Sequence, residues 1–317
     1  MNVVCCTDAN FIMPCGVMLK SLCENNNAVN VFIVIDESVD EKCKNSLRRI
    51  VESYQGNTLS FYLVDSTFFN SFPQLDFLPR ISKATYYRLF LSEILPSDID
   101  KIIFLDCDLI VRHDLNDLWN TKIDEYAIGC IIEHEIDNVE HYNRLMYSHD
   151  HGYFNAGVLL INLKYWRERL LTKSFMNYIE TYPQRIKYHD QDVLNGVLHK
   201  EKIFISPTYN AQAGFFYRKE KKKYSVLKYG KEIETIIKDP CIVHFSTGFK
   251  PWLEDCCHPF KNEFVQYKNM TEWKDIPLEK KYFPKRSFKG ILGDILRLLK
   301  IWSPIQKIES PQYFIQQ

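Results

Sequence analysis

No stretch of the sequence approaches the ~20 consecutive apolar residues that a helix needs to cross a bilayer, which excludes a membrane-spanning segment within these residues. The opening Met1-Asn-Val-Val-Cys-Cys-Thr-Asp has no basic n-region and only a short apolar run, so it reads as a strand and not as a signal peptide. Net charge is absent as well. Lys+Arg and Asp+Glu both total 40, so no overall field would recruit nucleic acid or repel an acidic ligand, and charge-driven binding must be local. Glycine is sparse at 11 residues, and no glycine-rich phosphate loop stands near the N-terminus. The ten cysteines contain no C-x-x-C pair and no even ladder of spacings. All ten read as reduced thiols, and several of them (Cys5, Cys6, Cys107, Cys130) fall in apolar runs, where Cys packs as a small hydrophobe. A cytoplasmic or peripheral protein is expected.

Aromatic residues are abundant, at 14% with 19 Tyr and 21 Phe, and suit stacking against sugars or bases. The 317 residues make one large domain or two small ones, ample for a buried core. In the first hundred residues, strand signals at 2–6, 31–35 and 59–64 alternate with helical ones at 16–24 and Glu41–Glu52. Short apolar strands alternating with helices predict an α/β fold with a mostly parallel, Rossmann-like sheet flanked by helices. Lys101–Leu105 is the next strand, and residues 127–132, 156–161 and 241–245 read as later ones. Helices are expected from near Leu163 and from Asp190 to Leu198, and 133–151 reads as a polar loop. With no repeat and no low-complexity linker, one catalytic domain is expected over residues 1–265, followed by a tail at 266–317.

The strand Lys101–Leu105 ends abruptly in Asp106-Cys107-Asp108. Ligands of open parallel sheets bind beyond the carboxyl ends of the strands. Two carboxylates one residue apart at such a place can both reach one hard cation, Mn²⁺ or Mg²⁺, and so bridge protein to a diphosphate. The same pair can equally be a solvated turn. Arg88 sits in an apolar and aromatic block, 84–91, and requires a partner if buried; Asp106 and Asp190 are candidates. His244 ends an apolar strand, where a lone His is either a satisfied core residue or a ligand. Asp190 suits a helix N-cap, Asp192 would extend an acidic cluster, and Gly157 suits either a tight backbone approach or a plain strand entry.

Six blocks carry a resemblance. They are Cys6-Thr-Asp-Ala-Asn, Thr85-Tyr-Tyr-Arg-Leu-Phe-Leu, Asp106-Cys-Asp, Tyr153-Phe-Asn-Ala-Gly-Val-Leu-Leu-Ile-Asn-Leu, Asp190-Gln-Asp-Val-Leu-Asn and His244-Phe-Ser-Thr-Gly-Phe-Lys-Pro-Trp. In order and spacing, over roughly residues 2–255, this set resembles the family 8 glycosyltransferases, which include bacterial lipooligosaccharide galactosyl- and glucosyltransferases and the glycogenins. The resemblance implies a GT-A fold and a retaining transfer of galactose or glucose from a UDP-sugar. It implies that Thr7, Asp8, Ala9 and Asn10 hold the base and ribose, and that Asp106, Asp108 and His244 hold Mn²⁺ or Mg²⁺, with Cys107 between them in the donor site. Asn155 and Ala156 are then expected at the donor sugar or its phosphate, Asp190 at sugar hydroxyls, and Gln191 at the anomeric face opposite the leaving group. Gly248 and Lys250 would meet the β-phosphate, and Arg88 would lie close to the diphosphate-sugar and the acidic residues. Asp190, Gln191, Arg88 and Lys250 are thus the expected catalytic set. The family lacks an obvious carboxylate nucleophile, so a same-face displacement through an oxocarbenium-like ion pair is expected.

Between Lys285 and Trp302, apolar residues at 288, 291, 292, 295, 298, 299 and 302 recur at helical spacing, with five Lys and Arg residues against Asp294. Such a basic amphipathic helix can lie in an anionic membrane surface or pack on the domain. The first use would place the protein on the inner face of the cytoplasmic membrane, beside a lipid-linked acceptor such as lipopolysaccharide. Residues 69–84, 133–152 and 209–223 are the expected acceptor-facing loops. Competing readings are a sugar nucleotidyltransferase, which would show the missing glycine-rich loop, and a non-catalytic nucleotide-sugar-binding module, which would have little use for a complete metal and diphosphate clamp.

Overall fold

A computed structural model describes residues 1–65, 67, 83–135, 138–216, 233, 236–248 and 250–280. Among the described residues, ten strands form two sheets: β1 (Asn2–Thr7), β2 (Asn30–Ile35), β3 (Thr58–Leu63), β4 (Lys101–Leu105), β5 (Leu109–Val111), β6 (Ile128–Ile132), β7 (Phe154–Asn162), β8 (Lys202–Phe204), β9 (Ala211–Gln212) and β10 (Ile242–His244). The helices are α1 (Ile12–Asn25), α2 (Glu41–Glu52), α3 (Leu91–Ile94), α4 (Asn116–Asn120), α5 (Val139–Leu145), α6 (Leu163–Glu168), α7 (Leu171–Thr181), α8 (His189–Leu198) and α9 (Ala213–Phe216), with a further helix at Lys261–Asn269. The large sheet has the order β3-β2-β1-β4-β7-β6-β8, and the small one the order β5-β10-β9. Every neighbour pair of the large sheet is parallel except those made by β7, which runs against both β4 and β6.

The central strands are rich in Val, Ile and Leu, and β4, β6 and β7 are buried along nearly their whole length. A strand covered on both faces reads as such a continuous apolar run and not as an alternation. One face of the sheet carries α1 and α2, whose Met18, Leu19, Leu22, Leu47 and Val51 pack with Val3, Ile33 and Leu105. The opposite face carries the 3₁₀ segment Lys83–Phe90 with α3 and α5 to α8, built around Tyr86, Tyr87, Trp166 and Phe175. The small sheet has its own core of Val243, Phe245, Trp252 and Phe264.

Several sequence expectations need correction. Residues 133–151 are not a loop throughout, since they contain α5, capped by the Asn138 side chain on the Glu140 amide at 3.2 Å, and a 3₁₀ turn at His149–His151. Seven residues are too few for periodicity to register, although His141, Tyr142 and Leu145 are buried on one face. Helix α1 starts at Ile12, before residue 16, because Pro14 lies in its first turn, where no intrahelical N–H bond is lost. Strands β5, β8 and β9 are too short to stand out in the sequence. Among the described residues, 267–279 contact the domain: the Tyr267 hydroxyl accepts from Asn25 Nδ2 at 3.0 Å, and the Glu279 amide donates to the Trp252 carbonyl at 2.8 Å. The amphipathic segment 285–302 lies outside the described residues, as do most of 69–84 and residues 217–223 of the expected acceptor loops.

Candidate active site

Strands β1, β2, β4 and β6 all run one way, so their carboxyl ends share one edge of the large sheet; because β7 is reversed, its beginning lies at that same edge. Thr7 and Asp8 therefore stand beside Asp36, Asp106-Cys107-Asp108, Glu133 and Asn155-Ala156-Gly157. The small sheet brings in the last member. In its register His244 lies opposite Leu109, the residue after Asp108, and the Phe245 amide donates to the Asp108 carbonyl at 3.0 Å. Residues 106, 108 and 244 thereby converge, with one ligand atom from each lying within 4.8 Å of the others.

His244 Nε2 is 3.2 Å from Asp108 Oδ1 and 3.8 Å from Asp106 Oδ2. Its other ring nitrogen, Nδ1, is 2.9 Å from Asn210 Oδ1. The orientation of that amide follows from its neighbours. Asn210 Nδ2 donates to Asn155 Oδ1 at 2.8 Å, and Asn155 Nδ2 donates in turn to Glu133 Oε2 at 2.9 Å. With the amide so fixed, Asn210 Oδ1 faces the imidazole as an acceptor, Nδ1 carries the proton, and the Nε2 lone pair faces the carboxylates. An outer hydrogen bond of this kind is the usual support of a metal-binding histidine. Gly157 makes room for it. A Cβ there would stand 2.3 Å from His244 Cε1 and 2.8 Å from Asp106 Oδ2, so no side chain fits at 157 while the ring holds its place. The strand-entry reading of Gly157 gives way to this close approach.

Two carboxylate oxygens and an imidazole nitrogen suit a hard divalent cation such as Mn²⁺ or Mg²⁺. Asp106 remains a quarter exposed, which leaves room on that side for further oxygen ligands. Lys250 donates to the Asp108 carboxylate and, at 2.8 Å, to the Phe245 carbonyl. Burial opposes the charge on Asp108, but the Lys250 ammonium beside it outweighs burial and holds the carboxyl well below its usual range. Arg88, only 5% exposed, donates from Nη2 to Asp106 at 2.7 Å and from Nη1 to the Ala156 carbonyl at 2.6 Å, with Nε 2.9 Å from Asp190 Oδ2. Its guanidinium also lies 4.3 Å from the Phe104 ring. Both partners anticipated for this arginine are therefore present. Asp190, which also accepts from the Thr85 hydroxyl, is pushed by burial up to about 6 against the pull of Arg88.

Gln191 is fixed on all sides: Oε1 accepts from the Ala156 amide at 3.1 Å and Asn155 Nδ2 at 3.2 Å, while Nε2 donates to Tyr153 Oη at 3.1 Å and Glu133 Oε2 at 3.2 Å. Asp8 accepts from the Asn10 amide at 2.9 Å in a tight turn, with Thr7 and Asp8 buried and Ala9 and Asn10 exposed. Cys107 turns away from the cation cluster, and its thiol donates to the Cys6 carbonyl at 3.3 Å. At Gly248 a Cβ would meet nothing within 4 Å.

Two expectations fail here. Tyr188, not Asp190, is the N-cap of α8, because the Asp190 carboxylate is committed to Arg88 and Thr85. Asp192 does not extend the acidic cluster; fully buried, it accepts from the Tyr153 hydroxyl at 2.8 Å, the Lys187 and Tyr188 amides at 2.7 and 2.5 Å, and pairs with Arg144. Sequence reasoning does not single out Glu133 or Asn210. Glu133 carried the signal that exposed Asp106, a carboxylate just past an apolar strand; Asn210 follows no such strand. Burial opposes both charges of the Glu133–His134 pair, yet each partner overcomes it, holding Glu133 down to about 2 and raising His134 to about 9.

A family model described as glycosyl transferase family 8 matches residues 2–256. The chain belongs to glycosyltransferase family 8. Among similar proteins, General stress protein A of Bacillus subtilis (strain 168) is 28% identical over 282 residues, covering 87% of this chain and 96% of the relative. A lipopolysaccharide 1,2-glucosyltransferase of Escherichia coli is 28% identical over 303 residues, covering 92% and 85%. Among solved structures, the galactosyltransferase LgtC in complex with donor and acceptor sugar analogues superposes with a TM-score of 0.75 at 26% identity, covering 86% of this chain and 96% of that one. The GT-A architecture expected for family 8 is thus the one observed. No helix among the described residues is long and apolar enough to cross a membrane.

Proposed function

We propose that the protein transfers a hexose, galactose or glucose, from a UDP-sugar to a glycan of the cell surface, with retention of anomeric configuration and with Mn²⁺ or Mg²⁺ held by Asp106, Asp108 and His244. The observation that carries this reading is the meeting of those three side chains, far apart in sequence, beside an imidazole whose tautomer is already set for ligation. Family membership supports glycosyl transfer, and a glucosyltransferase and a galactosyltransferase among the similar proteins support a hexose donor.

In this reading the bound cation supplies Lewis-acid stabilisation to charge gathering on the departing diphosphate. Lys250 adds a second positive charge next to Asp108, where the leaving group would lie. Arg88 has its donors committed to Asp106, Asp190 and two carbonyls, so it acts by holding the two carboxylates in position. Thr7, Asp8, Ala9 and Asn10 take the nucleoside, Gly248 lines the phosphate side, and Asn155, Ala156 and Asp190 take the sugar, while the Cys107 thiol points away toward the Cys6 carbonyl. Asp190 discriminates between epimers, since a buried polar group left unpaired by the wrong one loses about 1–3 kcal/mol. Gln191 presents an amide, which is a weak nucleophile, to the anomeric face. Departure of UDP and attack of the acceptor on the same face then proceed through an oxocarbenium-like ion pair. The basic segment 285–302 docks the enzyme on the inner face of the cytoplasmic membrane, beside a lipid-linked acceptor such as lipopolysaccharide.

The test is a panel of nucleotide sugars assayed for Mn²⁺-dependent hydrolysis and transfer, with Gln191→Ala and Gln191→Glu beside the wild type. UDP-galactose or UDP-glucose turnover that is slowed, but not abolished, in both variants is expected. Complete loss with a trapped glycosyl-enzyme overturns the ion-pair mechanism, and inertness toward every UDP-hexose overturns the donor assignment.

A further inference from the structure

Behind the aspartates lies a second convergence, of sulfur. Cys5 comes from β1, Cys15 from the first turns of α1, and Cys107 from between Asp106 and Asp108. Their three Sγ atoms lie within 4.8 Å of one another, with Cys5 and Cys15 3.8 Å apart. All three thiols are free and buried, at 0%, 0% and 7% exposure, among Val3, Ile12, Leu105 and Leu109. We infer that Cys5, Cys15 and Cys107 form a binding site for a soft, thiophilic d¹⁰ cation, Cu⁺ in the first instance, separate from the hard-cation cluster.

Geometry favours a three-coordinate ion. Metal–thiolate bonds of about 2.3 Å in a trigonal plane place the sulfurs about 4.0 Å apart, close to the spacing already present between Cys5 and Cys15. Ligand chemistry selects the metal: thiolates favour soft ions such as Cu⁺, whereas Mn²⁺ and Mg²⁺ favour oxygen. Structural Zn²⁺ takes four ligands, and the trio offers three. Among the described residues the apolar surroundings provide no competing carboxylate, since Asp106 and Asp108 are turned toward Arg88, Lys250 and His244. Binding exchanges thiol protons for metal–sulfur bonds, releasing one proton for each thiolate formed, with no change of oxidation state. Entry lies on the Cys107 side, the one member with measurable exposure.

The experiment uses the full, reduced chain under anaerobic conditions, with Cu⁺ delivered from a competing chelator and copper-edge X-ray absorption as the readout. One tightly held copper per chain with three sulfur neighbours is expected. Cys15→Ala, at a position that packs no charge, should weaken binding by at least about 100-fold, a larger effect than the loss of an outer partner. Cys257→Ser and Cys43→Ser, which alter thiols outside the cluster, should leave binding unchanged. A cooperative urea transition for Cys15→Ala, with Cys15→Ser as a second variant, establishes that the fold is retained. Fewer than three sulfur neighbours overturns the inference, as does wild-type affinity in both Cys15 variants, or weak copper that any exposed cysteine can hold. The readout detects sulfur alone, so it stands or falls independently of the proposed sugar transfer.

Discussion

Gly157→Ala puts the proposed cation site to a direct test, because a single methyl group separates binding from folding. The added Cβ would lie 2.3 Å from His244 Cε1 and 2.8 Å from Asp106 Oδ2. Carbon atoms in contact sit about 3.5 Å apart, so the ring must withdraw by about 1 Å. Metal sites tolerate ligand displacements of only about 0.2 Å. Overpacking of this kind destabilises a fold by about 1–3 kcal/mol, which a domain of this size survives. Losing the geometry of one of three protein ligands should exceed the 10–100-fold that outer partners contribute to affinity. The assay is Mn²⁺ binding to the full chain by calorimetry or electron paramagnetic resonance, beside a urea melt. At least about a 100-fold loss of affinity with the cooperative transition retained is expected. Mn²⁺ binding within about twofold of the wild type would refute the reasoning, since His244 could not then be both a ligand and the ring that Gly157 accommodates.

Other perturbations follow from the same geometry. Asn210→Ala removes the acceptor that fixes the His244 tautomer, and Mn²⁺ affinity read by calorimetry should fall about 10–100-fold. Arg88→Met strands the carboxylates of Asp106 and Asp190 without their partner and should lower unfolding free energy by about 3–5 kcal/mol in a urea titration; a change below 1 kcal/mol would show that the pair is solvated. The pH dependence of stability should carry the mark of His134. Its folded pKa, about 9, lies above the ordinary 6.5, so its contribution is complete below about pH 6.5 and is lost as pH rises through 9. Urea melts at about pH 6.5 and 9.5 should differ by on the order of 2 kcal/mol in the wild type and show little of that difference in His134→Asn.

Much of the architecture was legible because it rests on long apolar runs. The bounds of Glu41–Glu52 and Lys101–Leu105 agree with expectation to the residue, since a charged amphipathic helix and a doubly buried strand both leave strong patterns. Helix α5 and strands β8 and β9 escaped because two to seven residues are shorter than the window over which periodicity declares itself. At the site, the aspartates could be read from their place after a strand, and Arg88 from the incongruity of its charge. What could not be read is direction. Asp192 stands two residues from Asp190 in an equally acidic helix turn, yet its carboxylate serves Arg144 and Tyr153, because the twist of α8 points the two to different neighbours. Asn210 is silent for another reason: its role lies in partners 34 and 55 positions away.

The two sheets meet at the pair of aspartates in a manner with mechanical consequences. The Asp106 amide is tied to the large sheet through the Gly157 carbonyl at 2.8 Å, whereas the Asp108 carbonyl is tied to the small sheet through the Phe245 amide at 3.0 Å. An ion gripped by both carboxylates and His244 would therefore act as a rivet between two plates of the molecule. Whatever favours the riveted form over the unfolded chain raises resistance to heat by mass action, so with a cation bound the melting temperature would become a gauge of its concentration. Cargo loading and the rigidity of the frame would be governed by the same clasp.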